Sequence, residues 1–493
     1  MSAATPTHRI FGHIGWCRVD DEWFYLHAGG AIGAHGEAQN ITVELAGELA
    51  SFHLPAPRNL RADVQMSLKL LDLNVTVAAA AWRAVFAEFC PINFSFFEAG
   101  RTGSFKSALT GVAQAHWGSR WGDGIHFPAN WSGTSNSLEK MAFLAKDAMS
   151  IVDDFAPSGS RHAANALHEK AEHLMRAQGN LSGRSRLSSD TSLRPTYYPR
   201  GLIGSSGEDV PRGHSLRARM FIDQIGPDDI DPTKLRALQN AAIAGLLAEA
   251  MAGYVQWIAA RANTIDLAKE LHETQNWLCQ KFAGDHSRTS QIAASLMLGV
   301  KEFLDFATEI GTIGDLEAEK LYSGAEQDLR ATAQATEQAQ QDPVDMFVNA
   351  IRSALASGRA HLTSKDGTQP AYAPSLLGWR KTTKTYEGKT AGDIYYDWSP
   401  QGDRIGWLAS EYVWILPDES IAVIEGVLRE QGRSIGISRS TLGKRLRENK
   451  WLIETGKDSF TKVVNIGEGT ARVFVFSRSQ LFPSSEKGSR GCE

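Results

Sequence analysis

The sequence predicts an α/β protein built on a parallel sheet. A β-rich segment precedes the sheet, a helical region follows it, and a helix–turn–helix module with a β-wing closes the chain. Three observations predict this. Short apolar strands run into turns and then into helical periodicity at NFSFFEAG, AMSIVDDF and RGLIGSSG. Apolar runs broken by glycine and aspartate turns fill residues 9–55, the pattern of hairpins. Near the C-terminus a basic helical stretch, ISRSTLGKRLRENK, is followed by the strand-like WLIETG and RVFVFSR.

The 493 residues exceed one ordinary core, and about 150 residues per domain gives roughly three. The composition shifts divide the chain into 1–60 (β-rich), 61–228 (α/β core), 229–342 (helical region and linker) and 343–493 (C-terminal domain). With 42% hydrophobic and 22% charged residues the chain can bury cores and is not a disordered polymer. A net charge of −5 excludes a uniformly basic nucleic-acid coat, so basic patches must be sought segment by segment. The four cysteines, Cys17, Cys90, Cys279 and Cys492, form no CxxC pair. Neither a disulfide framework nor a structural zinc site is expected, which fits a reducing cytoplasm. The first residues hold no apolar signal core. The apolar stretch from Val75 to Cys90 is interrupted by Arg83 and Glu88 and is too short for a bilayer, so it reads as a buried helix and no membrane partner is expected.

Along the chain, Pro91 breaks that helix and NFSFFE forms a strand entering a glycine turn. Asp231 is an N-cap with Pro232 at the first helical position, and Leu235, Leu238, Ala242 and Leu246 share a face behind it. The polar ATAQATEQAQQD near 331–342 reads as a solvated helix end or linker.

The chemistry begins at EAGRTGSFKS. Strand, glycine turn and helix aim backbone N–H groups at an anion held before the helix. Against GxxxxGK[ST], Gly100, Lys106 and Ser107 match, and Phe105 replaces the second glycine; Thr102, Gly103 and Ser104 complete the loop. In this reading Lys106 reaches the β- and γ-phosphates of ATP and the Ser107 hydroxyl ligates Mg²⁺. The bland alternative is a chance glycine turn between a buried strand and a helix. A second element joins it. AMSIVDDF is a buried strand ending in two acids, which suits a site at the carboxyl edge of a parallel sheet. Asp153 is expected to hold Mg²⁺ and Asp154 to orient or deprotonate the attacking water. A third strand, RGLIGSSG, ends in Ser205 and Ser206, and Ser206 is the candidate γ-phosphate sensor. Arg212, Arg217 and Arg219 follow, with Arg219 favoured as a charge-stabilising arginine acting on a neighbouring subunit's nucleotide.

HIGW, YLHAGGAIG, EAGRTGSFKS, SGTSNSLE, SIVDDFAP, RAQGNLSGRSR and SSGEDVPRGHSLRARM together resemble the MCM-like AAA+ helicases of mobile genetic elements. These occur in staphylococcal cassette chromosomes and in plasmid- and phage-type primase–helicases. The resemblance is close over residues 9–260 and looser beyond. It implies an AAA+-like P-loop NTPase core and a ring, a hexamer, that hydrolyses ATP between subunits and moves along single-stranded or forked DNA. A primase or other replication partner is implied with it. By position it makes 100–107 the phosphate loop, Asp153 and Asp154 the acidic strand end, Ser206 the sensor and Arg219 the finger. Phe105 and Asp154 depart from the pattern, where glycine and glutamate are usual. A rival reading is a nucleotide-dependent DNA-binding or assembly protein without unwinding.

Two segments suit DNA. Arg176, Arg184, Arg186 and Arg194 sit among glycines and serines with Asp190 the one acid, a composition for phosphate tracking. Arg439, Lys444, Arg445, Arg447 and Lys450 crowd the helix pattern before the wing, the order of a winged-helix domain, although such domains also dock proteins. The HEKAEH run does not read as a metal site. Its histidines, His168 and His173, lie five residues apart, about 140° around a helix, so a solvated face is expected. His27 and His214 have no triad partners by spacing, and no GxSxG occurs.

Overall fold

The computed structural model describes residues 8–157, 160–183, 196–282, 288–339, 343–385, 394–430, 435, 437–454, 459–466 and 469–483. The chain divides into two compact units, Met1–Gln340 and Gln341–Glu493.

The first unit is organised by a five-stranded, all-parallel sheet: β1 (Ser95–Ala99), β2 (Ala129–Asn130), β3 (Met149–Phe155), β4 (Leu202–Gly207) and β5 (Met220–Gln224). Their spatial order is β5-β1-β4-β3-β2. The connection leaving β1 runs toward β2, whereas the one leaving the adjacent β4 returns to β5. Neighbouring strands whose connections diverge leave a crevice at their carboxyl ends, where open α/β sheets bind ligands.

Period-two alternation explains the layers. Phe96, Ile151, Leu202 and Phe221 pack on one face with Leu109 and Val112 of helix α1 (Lys106–Gln114). Phe97, Val152, Ile203 and Ile222 pack on the other with Leu174 and Met175 of α2 (Arg161–Asn180). Both faces are covered, which is why the strands read as near-continuous apolar runs.

A four-stranded antiparallel sheet over residues 15–37 docks on the amino-terminal end of β3. There Trp16 N donates to Asp147 Oδ2 at 2.9 Å and the Tyr25 hydroxyl to Asp147 O at 2.9 Å. Val75–Ala84 is a wholly buried helix, as its composition predicts. The Pro232–Ile243 helix carries the expected cap, Asp231 accepting from Thr233 N at 2.8 Å and Lys234 N at 3.3 Å. No single described helix is long and apolar enough to cross a membrane.

In the second unit three helices, α3 (Pro343–Ser357), α4 (Pro417–Glu430) and α5 (Arg439–Glu448), precede an antiparallel pair, β6 (Lys462–Ile466) and β7 (Gly469–Ser477). Leu442 and Leu446 of α5 are buried, Arg439, Lys444 and Arg447 are exposed, and Arg445 is half-buried.

One close approach tests the helical layer. A Cβ at Gly299, in the Arg288–Glu309 helix, would lie 2.6 Å from Arg83 N and 2.7 Å from Ala79 O. Those are backbone atoms and cannot swing aside. Overpacking costs about 1–3 kcal/mol and outweighs the gain in helix propensity, roughly 1 kcal/mol. Gly299→Ala should therefore lower the urea midpoint of the tryptophan-fluorescence transition. An unchanged midpoint would show that the two helices separate freely.

Candidate nucleotide site

Gly100 leaves β1 and Lys106 opens α1, so residues 100–105 form the loop at the crevice. Gly100 N donates to Gly207 O at 3.2 Å, which ties the loop to the end of β4. A Cβ on Gly100 would meet Ile225 O at 2.4 Å, so no larger residue fits without shifting backbone.

Phe105 takes the left-handed conformation, φ 60° and ψ 15°, and Gly103 also has positive φ, 87°. The turn thus has the shape that a glycine at 105 would give it, and the phenylalanine bears the conformational cost, about 1–2 kcal/mol. The residue is 40% exposed.

Lys106 is 9% exposed; its Nζ donates to Arg101 O at 2.7 Å and reaches Ser104 Oγ at 3.4 Å. Burial lowers the ammonium below the usual lysine range, opposed by Glu208 and then Asp153. The Ser107 hydroxyl donates to Asp153 Oδ1 at 3.1 Å, and the Ser206 hydroxyl donates to the same oxygen. Helix α1, β3 and β4 therefore meet at one carboxylate. A hydroxyl and a carboxylate beside a phosphate loop are hard oxygen donors that suit Mg²⁺, which keeps several waters and few protein ligands.

Asp154 behaves differently. β3 and β4 pair Val152 with Ser205 and Phe155 with Gly207, so Asp153 and Asp154 oppose Ser206 alone, a β-bulge. Asp154 takes φ 64° there and is exposed, apart from the hydroxyl pair.

Pairing register also separates the two serines. Ser205 is buried on the α2 side, donating to Val152 O and accepting from Trp131 Nε1, each at 2.8 Å. Ser206 lies on the α1 side in register with Glu98, which is in register with Asp223. Glu98 is fully buried and neither carboxyl oxygen has a partner among the described residues. Burial, then Asp223, pushes its carboxyl well above the usual carboxylate range. Glu98 was not among the residues expected at the site; its signal in the sequence is an acid sharing the inward parity of Phe96 in an otherwise apolar strand. Glu208 was not among them either, and Thr102 Oγ1 donates to it across the loop.

Arg219 lies elsewhere. It precedes β5, with its carbonyl accepting from Ser95 N at the start of β1, so it sits at the amino-terminal edge of the sheet. That is roughly 16 Å, one five-residue strand, from the phosphate loop. Its Nη1 donates to Ser215 O at 2.6 Å and its stem packs over Gly179. Arg184 and Arg186 lie outside the described residues. In the second unit Arg439 pairs with Asp418 at 2.6 Å, Lys444 is exposed and 3.9 Å from Glu448, and Arg445 is half-buried.

His168 corrects one expectation. It is not solvated: it packs on Phe155 with centroids 5.3 Å apart and accepts from Arg212 N at 3.3 Å. Burial lowers its pKa to about 4. No group of three metal-ligating side chains occurs among the described residues.

The fold resembles that of a solved helicase. The structure of the SCCmec type IV Cch active helicase matches over 96% of this chain and 80% of its own, with TM-score 0.57 at 10% identity. The A-form apo C-terminal region of NrS-1 gives TM-score 0.28 at 9% identity, over 97% of this chain and 86% of its own. A ligand-bound JCV helicase gives 0.22 at 15% identity, over 49% and 74%. The last two superpose too loosely to bear on the fold. No family model and no curated protein matches the sequence.

The strained turn is testable because the Phe105 ring is not a core side chain. Phe105→Gly relieves the left-handed strain but loosens the unfolded chain by roughly 0.5–1 kcal/mol, so thermal stability should hold or rise slightly. Phe105→Val, β-branched at positive φ, should lower it by about 1–2 kcal/mol. Equal melting of both variants would contradict the assigned turn.

Proposed function

We propose that the chain is an ATP-driven DNA helicase or translocase, working as a ring of identical subunits, a hexamer, in the replication of a mobile element. The observation that carries this is the convergence of Lys106, Ser107, Asp153 and Ser206 at the carboxyl edge of a parallel sheet, beneath a phosphate-type loop. In this reading Gly100, Thr102, Gly103, Ser104 and Phe105 wrap the phosphates, and Lys106 neutralises charge on the β- and γ-phosphates. Ser107 and Asp153 hold Mg²⁺, which when bound supplies charge stabilisation to the triphosphate. Ser206 senses the γ-phosphate through Asp153. Arg219, too far from its own loop, serves the nucleotide of an adjacent subunit. The fold likeness to an active helicase supports the motor reading. The exposed Arg439 and Lys444 and the half-buried Arg445 of α5, with the following β-pair, support a winged-helix contact with DNA through these three residues, and Arg184 and Arg186 are assigned to the same partner.

A second reading, nucleotide-dependent DNA binding without turnover, is favoured by the exposed position of Asp154 away from the hydroxyl pair. Phosphate release separates the two. The motor reading expects release that rises with single-stranded DNA and falls by about 10²-fold or more in Lys106→Ala. Mixing Lys106→Ala with Arg219→Ala subunits should restore part of the activity, because mixed rings contain interfaces with an intact loop facing an intact arginine. Unstimulated, negligible release with intact ATP binding would sink the motor and leave the binding reading. For DNA, Arg439→Ala and Arg445→Ala should each weaken binding and reduce its salt slope by about 1, the mark of a lost phosphate contact.

A further inference from the structure

The sequence pattern places the water-activating acid at the end of β3, but the sheet order points one strand nearer the loop. β4 lies between β1 and β3, and Gly100 N is bonded to Gly207 O at 3.2 Å. The next residue, Glu208, therefore leaves the sheet directly beside the phosphate loop. Thr102 of that loop donates to its Oε1, which sets the carboxylate beside the loop.

The other two acids are less suited to take a proton. Asp153 Oδ1 already accepts from two hydroxyls, an arrangement for holding a cation. Asp154 is turned out by its left-handed backbone and carries the shorter side chain.

We propose that Glu208 is the catalytic base of the reaction assigned above, in place of Asp154; the proposal rests on that nucleotide reading. The water oxygen bonds to the γ-phosphorus while the bond from that phosphorus to the bridging oxygen breaks. The electron pair stays on the β-phosphate oxygen of the leaving ADP. The water proton passes to a Glu208 carboxylate oxygen and then to solvent, so atoms and charge balance with ADP, inorganic phosphate and a proton as products.

Glu208→Gln keeps an acceptor for Thr102 but cannot take a proton, and Asp154→Asn is its counterpart. The full-length chain and both variants are compared for MgATP affinity by calorimetry and for phosphate release with single-stranded DNA. We expect Glu208→Gln to bind within about threefold of the parent and to lose about 10²-fold or more in release, the range for a missing general base. Asp154→Asn should keep release within about fivefold. Near-parental release from Glu208→Gln, or an equal loss in Asp154→Asn, would overturn the assignment. So would loss of affinity in Glu208→Gln, which would make the residue an organiser of the loop. A parent chain that does not bind MgATP would instead remove the nucleotide reading itself, and this proposal with it.

Discussion

One Asp153 carboxylate oxygen, shared by the hydroxyls of Ser107 and Ser206, joins the three elements on which the site depends. Ser107 belongs to the helix after the first strand, Asp153 to the third strand and Ser206 to the fourth. They meet because the fourth strand is inserted between the other two and because a bulge sets two residues against Ser206. Moving the register by one residue would turn Ser206 away and present Ser205, whose hydroxyl is bonded to Val152 O on the opposite face.

The surroundings of that junction are unusually acidic for a buried surface. Asp223, Glu98 and Ser206 form a row across three strands on the α1 side. At Glu98 burial and the neighbouring Asp223 both disfavour the charged carboxylate, which raises its pKa. Asp223 is also raised by burial, with Asn74 opposing through a 2.8 Å bond. Asn74 in turn caps the Val75–Ala84 helix by accepting from Val77 N at 2.9 Å. The site's floor and the helical layer are therefore connected through one amide.

Phe105 shows how a departure from a sequence pattern can leave geometry intact. The pattern asks for glycine because the backbone must turn left, and here a phenylalanine makes the same turn. Asp154 shows the reverse. It stands at the expected position in sequence, yet the bulge faces it toward solvent while Asp153 remains in the row.

Much was legible from the chain because local patterns report local physics. Buried parallel strands read as apolar runs, the glycine turn read as a loop before a helix, and Asp231 with Pro232 read as a helix start. The sequence by itself determined the residue types at the loop and at the ends of β3 and β4. It could not determine which of two adjacent serines or two adjacent acids faces the loop, since parity past a bulge depends on pairing with another strand. Nor could it place Glu208 against Thr102, or Arg219 at the far edge of the sheet. Those positions follow from strand order, which is settled by long-range pairing of segments that are more than a hundred residues apart in the chain.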